Sequence, residues 1–336
     1  MKIKNSVKGI SPDASIILMC LALLVSCPVR IFQMLKNIDS VTGFFDDYSN
    51  VTIMILYGVL AIASFLILVF TFLSGKIPAA VTPKGKRIPL AIASVLAGAG
   101  FFYDAIISYL PGDNTTTATI IQNAQSVSTF RHLQAIFAFI ASCYFIVFAI
   151  SYFAGHAFHK KLKIFSLAPL AWAVVCIFER ITVIISVMRV SELFLEICGL
   201  VFLMIFFLSF ARIASEINCK GSMWSVIACG SVAAMFILTY SIPRIMLMIT
   251  GNSDSLVNGY PINFAHIGSV VFILFFIVTV LRKGYAMEDV QTMYAKIEQA
   301  QKEEQETPAL VIEPVRDEEG NVIIHKPDAN NTKNEE

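Results

Sequence analysis

Charge is what this sequence has least of. Asp, Glu, Lys and Arg make up 15% of its 336 residues, while 57% are hydrophobic. Soluble domains average about 25% charged residues. The shortage excludes a disordered chain, and it excludes a single water-soluble globule, because too little polar surface exists to coat so much apolar chain. Histidine is also sparse: five residues, scattered along the chain, are too few for a multi-histidine metal centre. His156 and His159, beside a basic loop, read as interfacial residues rather than ligands. The chain has no H-E-x-x-H, G-x-S-x-G, P-loop or C-x-x-C motif, so protease, lipase and nucleotide-driven pump chemistry have no sequence support. Seven cysteines are an odd number, and all but Cys219 lie inside apolar stretches. They read as small packing residues and not as a disulfide framework.

What the chain has instead is long apolar runs. A bilayer core about 30 Å thick needs roughly 20 apolar residues in a helix. Eight segments qualify, near residues 14–35, 51–74, 88–110, 130–154, 164–188, 192–215, 223–249 and 261–281. The runs are continuous, such as VFLMIFFLSF at 201–210, without the alternation of a membrane β-barrel. The expected fold is therefore an all-α integral membrane protein of eight transmembrane helices in a lipid bilayer. The segment Leu24-Val25-Ser26-Cys27 matches a bacterial lipoprotein signal, and cleavage there would leave seven spans. The apolar run continues through Ile31, Phe32 and Leu35, which favours an ordinary first helix.

The few charges are unevenly placed. Residues 1–281 carry a net charge of +7, and residues 282–336 carry −6. Alternate loops hold 13 basic residues against 2 in the other set. The richer set comprises Lys2, Lys4, Lys8, Lys76, Lys84, Lys86, Arg87, Lys160, Lys161, Lys163, Lys220, Arg282 and Lys283; the poorer set holds Lys36 and Arg189. Basic loops stay in the cytoplasm, so the expected location is the cell membrane, with both ends of the sequence cytoplasmic. This divides the chain into a transmembrane domain, 1–283, and an acidic cytoplasmic tail, 284–336.

A repeat is visible in the odd-numbered spans. Cys27-Pro28-Val29-Arg30-Ile31, Ile177-Phe178-Glu179-Arg180-Ile181 and Ser241-Ile242-Pro243-Arg244-Ile245 resemble one another, and Asp104 takes the matching place in the third span. The spacings are 74, 76 and 64 residues. The unit would be a helix hairpin, repeated four times in the same sense. Parallel repeats of this kind occur in transporters, and also in proteins that transport nothing.

Charge inside lipid is costly, roughly 2.5–3.5 kcal/mol per residue on insertion scales. Arg30, Asp104, Arg180 and Arg244 nevertheless sit about 8–12 Å below the outer ends of their helices at 1.5 Å per residue. Arg131, His132, Glu192, Glu196 and His266 share that outer third, with Glu179 beside Arg180 and Arg189 in the turn that follows. Bland readings exist. Arg30 and Arg244 could snorkel to headgroups. Glu192, just after Ser191 at a helix start, is explained by capping and the helix dipole. Glu179 and Arg180 point about 100° apart, so they should not pair easily with each other; Glu196 is the expected partner of Arg180. Asp104 is short and should need an arginine or water.

The candidate site is therefore Arg30, Asp104, Glu179, Arg180, Glu196 and Arg244, lining an outward-facing cavity. Five arginines against four carboxylates favour a carboxylate or phosphate group on a small solute. Pro28 and Pro243 would help open the helices beside it. The leading expectation is a small-solute, anion-accepting transporter or permease-like protein that needs no cofactor and no nucleic acid. The competing expectation is a structural ion-pair network in a non-transporting sensor or scaffold, acting through its tail. An enzyme is the weakest expectation, resting only on Asp104 or Glu196. In the tail, residues 284–305 are helix-prone, with Val290, Met293, Tyr294 and Ile297 on one face. Two short apolar runs about a turn at 317–321 would make a small hairpin or stay disordered. Residues 284–325 are thus the candidate for a protein partner or self-association. Outer loops are too short to form a domain; the polar run 111–129 and the sequons at Asn50 and Asn114 decide nothing about source.

Overall fold

A computed structural model describes residues 12–38, 45, 51–78, 82, 85–110, 124–156, 158, 162–182, 190–215, 221–252, 263–282, 287–289, 295, 298, 299 and 302. It contains eight helices long and apolar enough to cross a membrane. The helices are α1 Asp13–Lys36, α2 Val51–Phe72, α3 Ile88–Tyr109, α4 Ala124–Ala154, α5 Ala168–Thr182, α6 Val190–Ala214, α7 Ser222–Ile249 and α8 Phe264–Arg282; the fifth candidate span is the continuous stretch Ile164–Ile181. A 3-10 turn, Ile164–Leu167, leads into α5. Most boundaries lie within a few residues of the hydropathic expectation. Two differ by six residues: α4 begins at Ala124, before the apolar run, because helical geometry extends beyond the hydropathic segment, and α5 is described only to Thr182 where 188 was expected. α1 passes through Cys27 and Pro28 as one helix. The six described cysteines are free thiols.

Helix α7 lies at the centre, 83% of its most apolar window being buried, whereas α2 is at 22%. α7 packs on α1, α2, α6 and α8, while α3 packs on α4 and α8. Small residues set the closest approach. A Cβ at Gly100 would stand 2.5 Å from the Phe264 carbonyl oxygen, and one at Gly268 would stand 2.9 Å from the Ala97 Cα. Such close backbones are how membrane helices gain contact without a hydrophobic driving force.

Below this contact lies an aromatic core. The ring of Phe101 lies 4.8 Å from Trp172 and 5.4 Å from Phe145. Phe272 meets Phe145 at 4.9 Å and Phe210 at 5.3 Å. These edge-on and offset contacts join α3, α4, α5, α6 and α8 in the geometry that aromatic quadrupoles favour.

Two short strands, β1 Lys76–Pro78 and β2 Met287–Asp289, pair antiparallel, with Lys76 opposite Asp289. This corrects the expectation of helix from residue 284: residues 287–289 are extended. Pairing with the loop after α2 satisfies their backbone groups, and the local helical preference is too weak to compete. The chain divides into compact units at Met1–Val290 and Gln291–Glu336. In the second unit residues 295, 298, 299 and 302 are helical, and Lys302 pairs with Glu298 at 3.6 Å, both exposed. The expected hairpin in the tail, Arg189, Cys219, His159, and the sequons at Asn50 and Asn114 lie outside the described residues.

Candidate functional site

Each charged residue of the site sits near one end of its helix. Arg30, Asp104, Arg180 and Arg244 come within the last two turns of α1, α3, α5 and α7; Glu192, Glu196 and His266 come within the first two turns of α6 and α8. Chain direction alone therefore gathers them at one end of the bundle.

The first group is a triad. Glu192 binds the Arg30 guanidinium through one oxygen, and its other oxygen lies 3.3 Å from Arg244 Nε. All three are buried: Arg30 is 0% exposed, Glu192 1% and Arg244 2%. Arg30 also donates to Gln33 Oε1 at 3.1 Å. Gln33 and Asn37 in turn donate to Thr52 Oγ1, at 3.4 and 3.2 Å. One turn deeper, the Ser26 and Thr239 hydroxyls share a hydrogen bond of 3.0 Å between α1 and α7. The snorkelling account of Arg30 and Arg244 is thereby replaced. Both turn inward because a buried carboxylate offers them charge-assisted bonds.

The second group lies one helical turn along α6. Glu196 is 3.1 Å from Arg180 Nε, as expected. Arg180 also lies 3.4 Å from Glu179 Oε2, although 100° of helix separates these neighbours; the long arginine side chain spans the gap. Arg180 is 25% exposed, the most open member of the network. His266, buried on α8, holds its Nδ1 against the Tyr240 hydroxyl and 3.9 Å from Glu196 Oε1. Its Nε2 has no partner among the described residues.

The third group surrounds Asp104, and it overturns the expectation of an arginine beside that residue. Trp172 Nε1 donates to Asp104 Oδ2 at 2.7 Å, and Gln134 Nε2 donates to the same oxygen at 3.0 Å. Asn263 donates to Oδ1 at a longer 3.4 Å. The side-chain oxygen of Asn263 also caps α8, accepting from the N–H groups of Ala265 and His266 at 2.9 and 3.3 Å. Asp104 therefore faces the amino end of α8, where the helix dipole favours negative charge. The Trp172 ring lies 5.5 Å from that of His266, which connects the second and third groups.

All six residues singled out from the sequence belong to this network. Arg131 and His132 do not join it among the described contacts: Arg131 is half-buried, and His132 is exposed, its ring 6.2 Å from Tyr109. Sequence reasoning underrated Glu192, which is the hub of the triad. It did not set His266 against Glu196 or Tyr240, and it passed over Gln33, Gln134, Trp172 and Tyr240 themselves. The signal for Glu192 was available: Glu192 and Glu196 are four apart, hence on one face of α6. Neutral donors such as Trp172 carry no comparable signal in an apolar sequence. Within the described network three arginines meet three glutamates. The expected surplus of arginine rested on Arg131 and Arg189, and the surplus charge here is Asp104.

Comparison with protein-family models, with curated proteins and with solved structures finds no match for this chain.

Proposed function

We propose that the protein is a multi-pass protein of the cell membrane that binds, and as a permease moves, a small anionic solute at Arg30 and Arg244. The observation that carries this reading is the shared carboxylate: two buried guanidiniums converge on Glu192. A solute carboxylate or phosphate would make the same bonds, so Glu192 occupies the place of the anion and must yield it. Prolines at 28 and 243 lie within both arginine-bearing helices, where lost backbone bonds make bending easier. The half-open Arg180 would be the first charge a solute meets. In this reading both ends of the sequence are cytoplasmic, the network lies in the outer third of the bilayer, and the four helix hairpins are a repeated unit.

The test uses thermal unfolding of the full-length protein in detergent with inorganic phosphate, acetate and succinate. Binding to the folded state at ten times Kd adds about 1.4 kcal/mol of stability. At least one anion should raise the Tm, Glu192→Gln should bind it more tightly, and Arg244→Gln should lose the effect. No anion effect on either the natural protein or Glu192→Gln would sink the reading.

A second reading is favoured by the three-to-three charge balance, which a purely structural network would also have. The protein would then be a non-transporting sensor or scaffold, acting through its tail. The pairing of β2 with β1 ties that tail to the loop between α2 and α3. Residues 284–325 would engage a partner or a second copy. Here the triple variant Arg30→Met, Glu192→Leu, Arg244→Met should fold and keep any tail-dependent association, since an apolar triad can replace a buried ionic one.

A further inference from the structure

We infer that Asp104 is a proton-binding site, and that its proton is the one that accompanies the anion. The coupling rests on the anion reading above; the proton site itself does not.

Three observations carry it. Asp104 is 8% exposed, and no arginine, lysine or histidine nitrogen lies within ion-pairing distance of it among the described residues. Its partners, Trp172, Gln134 and Asn263, are all neutral. The neutral donors and the amino end of α8 offset part of the charge, but a carboxylate buried without a cation beside it is still costly, and a proton removes that cost. The two oxygens are also unequal. Oδ2 receives both short bonds, while Oδ1 has only the 3.4 Å contact with Asn263. Oδ1 is therefore the atom with room for a proton: its O–H bond forms as a proton arrives from solvent, and the carboxylate becomes a neutral acid. A metal cation suits the place less well, because the groups turned toward Asp104 present N–H donors and not oxygen ligands.

The remaining charges explain why this proton matters. The groups that face Asp104 from neighbouring helices are the oppositely charged Glu179 and Arg180 and the buried Cys176 thiol, all on α5, and His266 on α8, reached through the Trp172 ring. Behind His266 stand Glu196 on α6 and Tyr240 on α7. With three arginines set against three glutamates, ionised Asp104 leaves the network at −1. A monoanion entering alone would take it to −2. A monoanion entering with one proton on Asp104 leaves it unchanged.

Trp172 makes the site directly readable. The chain has two tryptophans, and Trp172 donates straight to Asp104, whereas Trp224 lies elsewhere on α7 against Phe72. In full-length Trp224→Phe protein in lipid vesicles, Trp172 emission would be followed from about pH 4 to about pH 9 without added anion. A step should appear, survive His266→Gln and Glu196→Gln, and vanish in Asp104→Asn. A flat titration overturns the proton site, and so does an unchanged step in Asp104→Asn. Should Asp104→Asn fail to fold, Asp104→Glu serves: its longer side chain should move the midpoint, and an unmoved midpoint overturns the site. No phosphate or carboxylate solute is present, so failure here counts against Asp104 and leaves the arginine site to its own test.

Discussion

Glu192 is 1% exposed and Phe272 is fully buried, yet the helices around them are held by different forces. Phe272 meets Phe145, Phe148, Phe206, Phe210 and Phe276, which brings α4, α6 and α8 together. In a membrane such a core gains little from leaving water, because lipid tails would receive the same rings; dispersion and edge-to-face geometry remain. Glu192 makes few contacts, but each neutralises a charge that lipid tolerates poorly. It also makes a connection that packing alone does not emphasise: α1 packs on α2 and α7, and Arg30 carries it on to α6. The aromatic layer thus supplies diffuse cohesion, and the charged layer supplies identity, fixing which helix faces which.

The largest effect should come from emptying the centre of the charged layer. Glu192→Ala removes the carboxylate that two buried guanidiniums share, and breaking a buried ionic group in this way costs about 3–5 kcal/mol. Unfolding in mixed micelles should show that loss. Next comes Phe272→Ala. A buried Phe→Ala costs about 3–5 kcal/mol in soluble cores, but only the packing part survives in lipid, so about 2–3 kcal/mol is expected. Should Phe272→Ala prove the more damaging, the division of labour between the layers is wrong. Gly100→Ala probes a third kind of contact, backbone against backbone. Its new Cβ would lie 2.5 Å from the Phe264 carbonyl oxygen, and overpacking of that kind costs about 1–3 kcal/mol. A neutral result in the same assay would mean that α8 slides freely along α3.

The same contrast decides what could be read from the sequence. Eight helices long and apolar enough to cross a membrane were legible because hydrophobic length is a strong local signal, and Arg30, Asp104, Arg180 and Arg244 stood out because charge inside an apolar run is rare. The pairing of Arg180 with Glu196 followed from helix adjacency. The role of Glu192 was obscured by its position: an acid in the first turn of a helix has an adequate local explanation, and only the third dimension brings Arg30 and Arg244 to it. Asp104 misled in the opposite way. Its charge implied a charged partner, but Trp172, Gln134 and Asn263 are individually unremarkable letters that become a carboxylate site only when α3, α4, α5 and the start of α8 are packed. The strand at 287–289 was hidden for a similar reason, since its partner lies some 210 residues earlier, at 76–78.

The smallest predicted effect tests whether charge, and not mere polarity, distinguishes the charged layer. Ser26 and Thr239 join α1 to α7 one turn from the triad, through a hydrogen bond of 3.0 Å between neutral hydroxyls. Thr239 Oγ1 also donates to its own helix, to the Met235 carbonyl at 2.8 Å, so it keeps a partner when Ser26 is gone. Interhelical hydrogen bonds in membranes average about 0.6 kcal/mol because the separated helices find other partners. Ser26→Ala should therefore cost about 0.6 kcal/mol, several times less than Glu192→Ala although α1 and α7 take part in both contacts. A cost comparable with that of Glu192→Ala would mean that this end of the bundle is held by polar packing in general. The arginines would then be free to serve a solute without being needed to hold α1 in place.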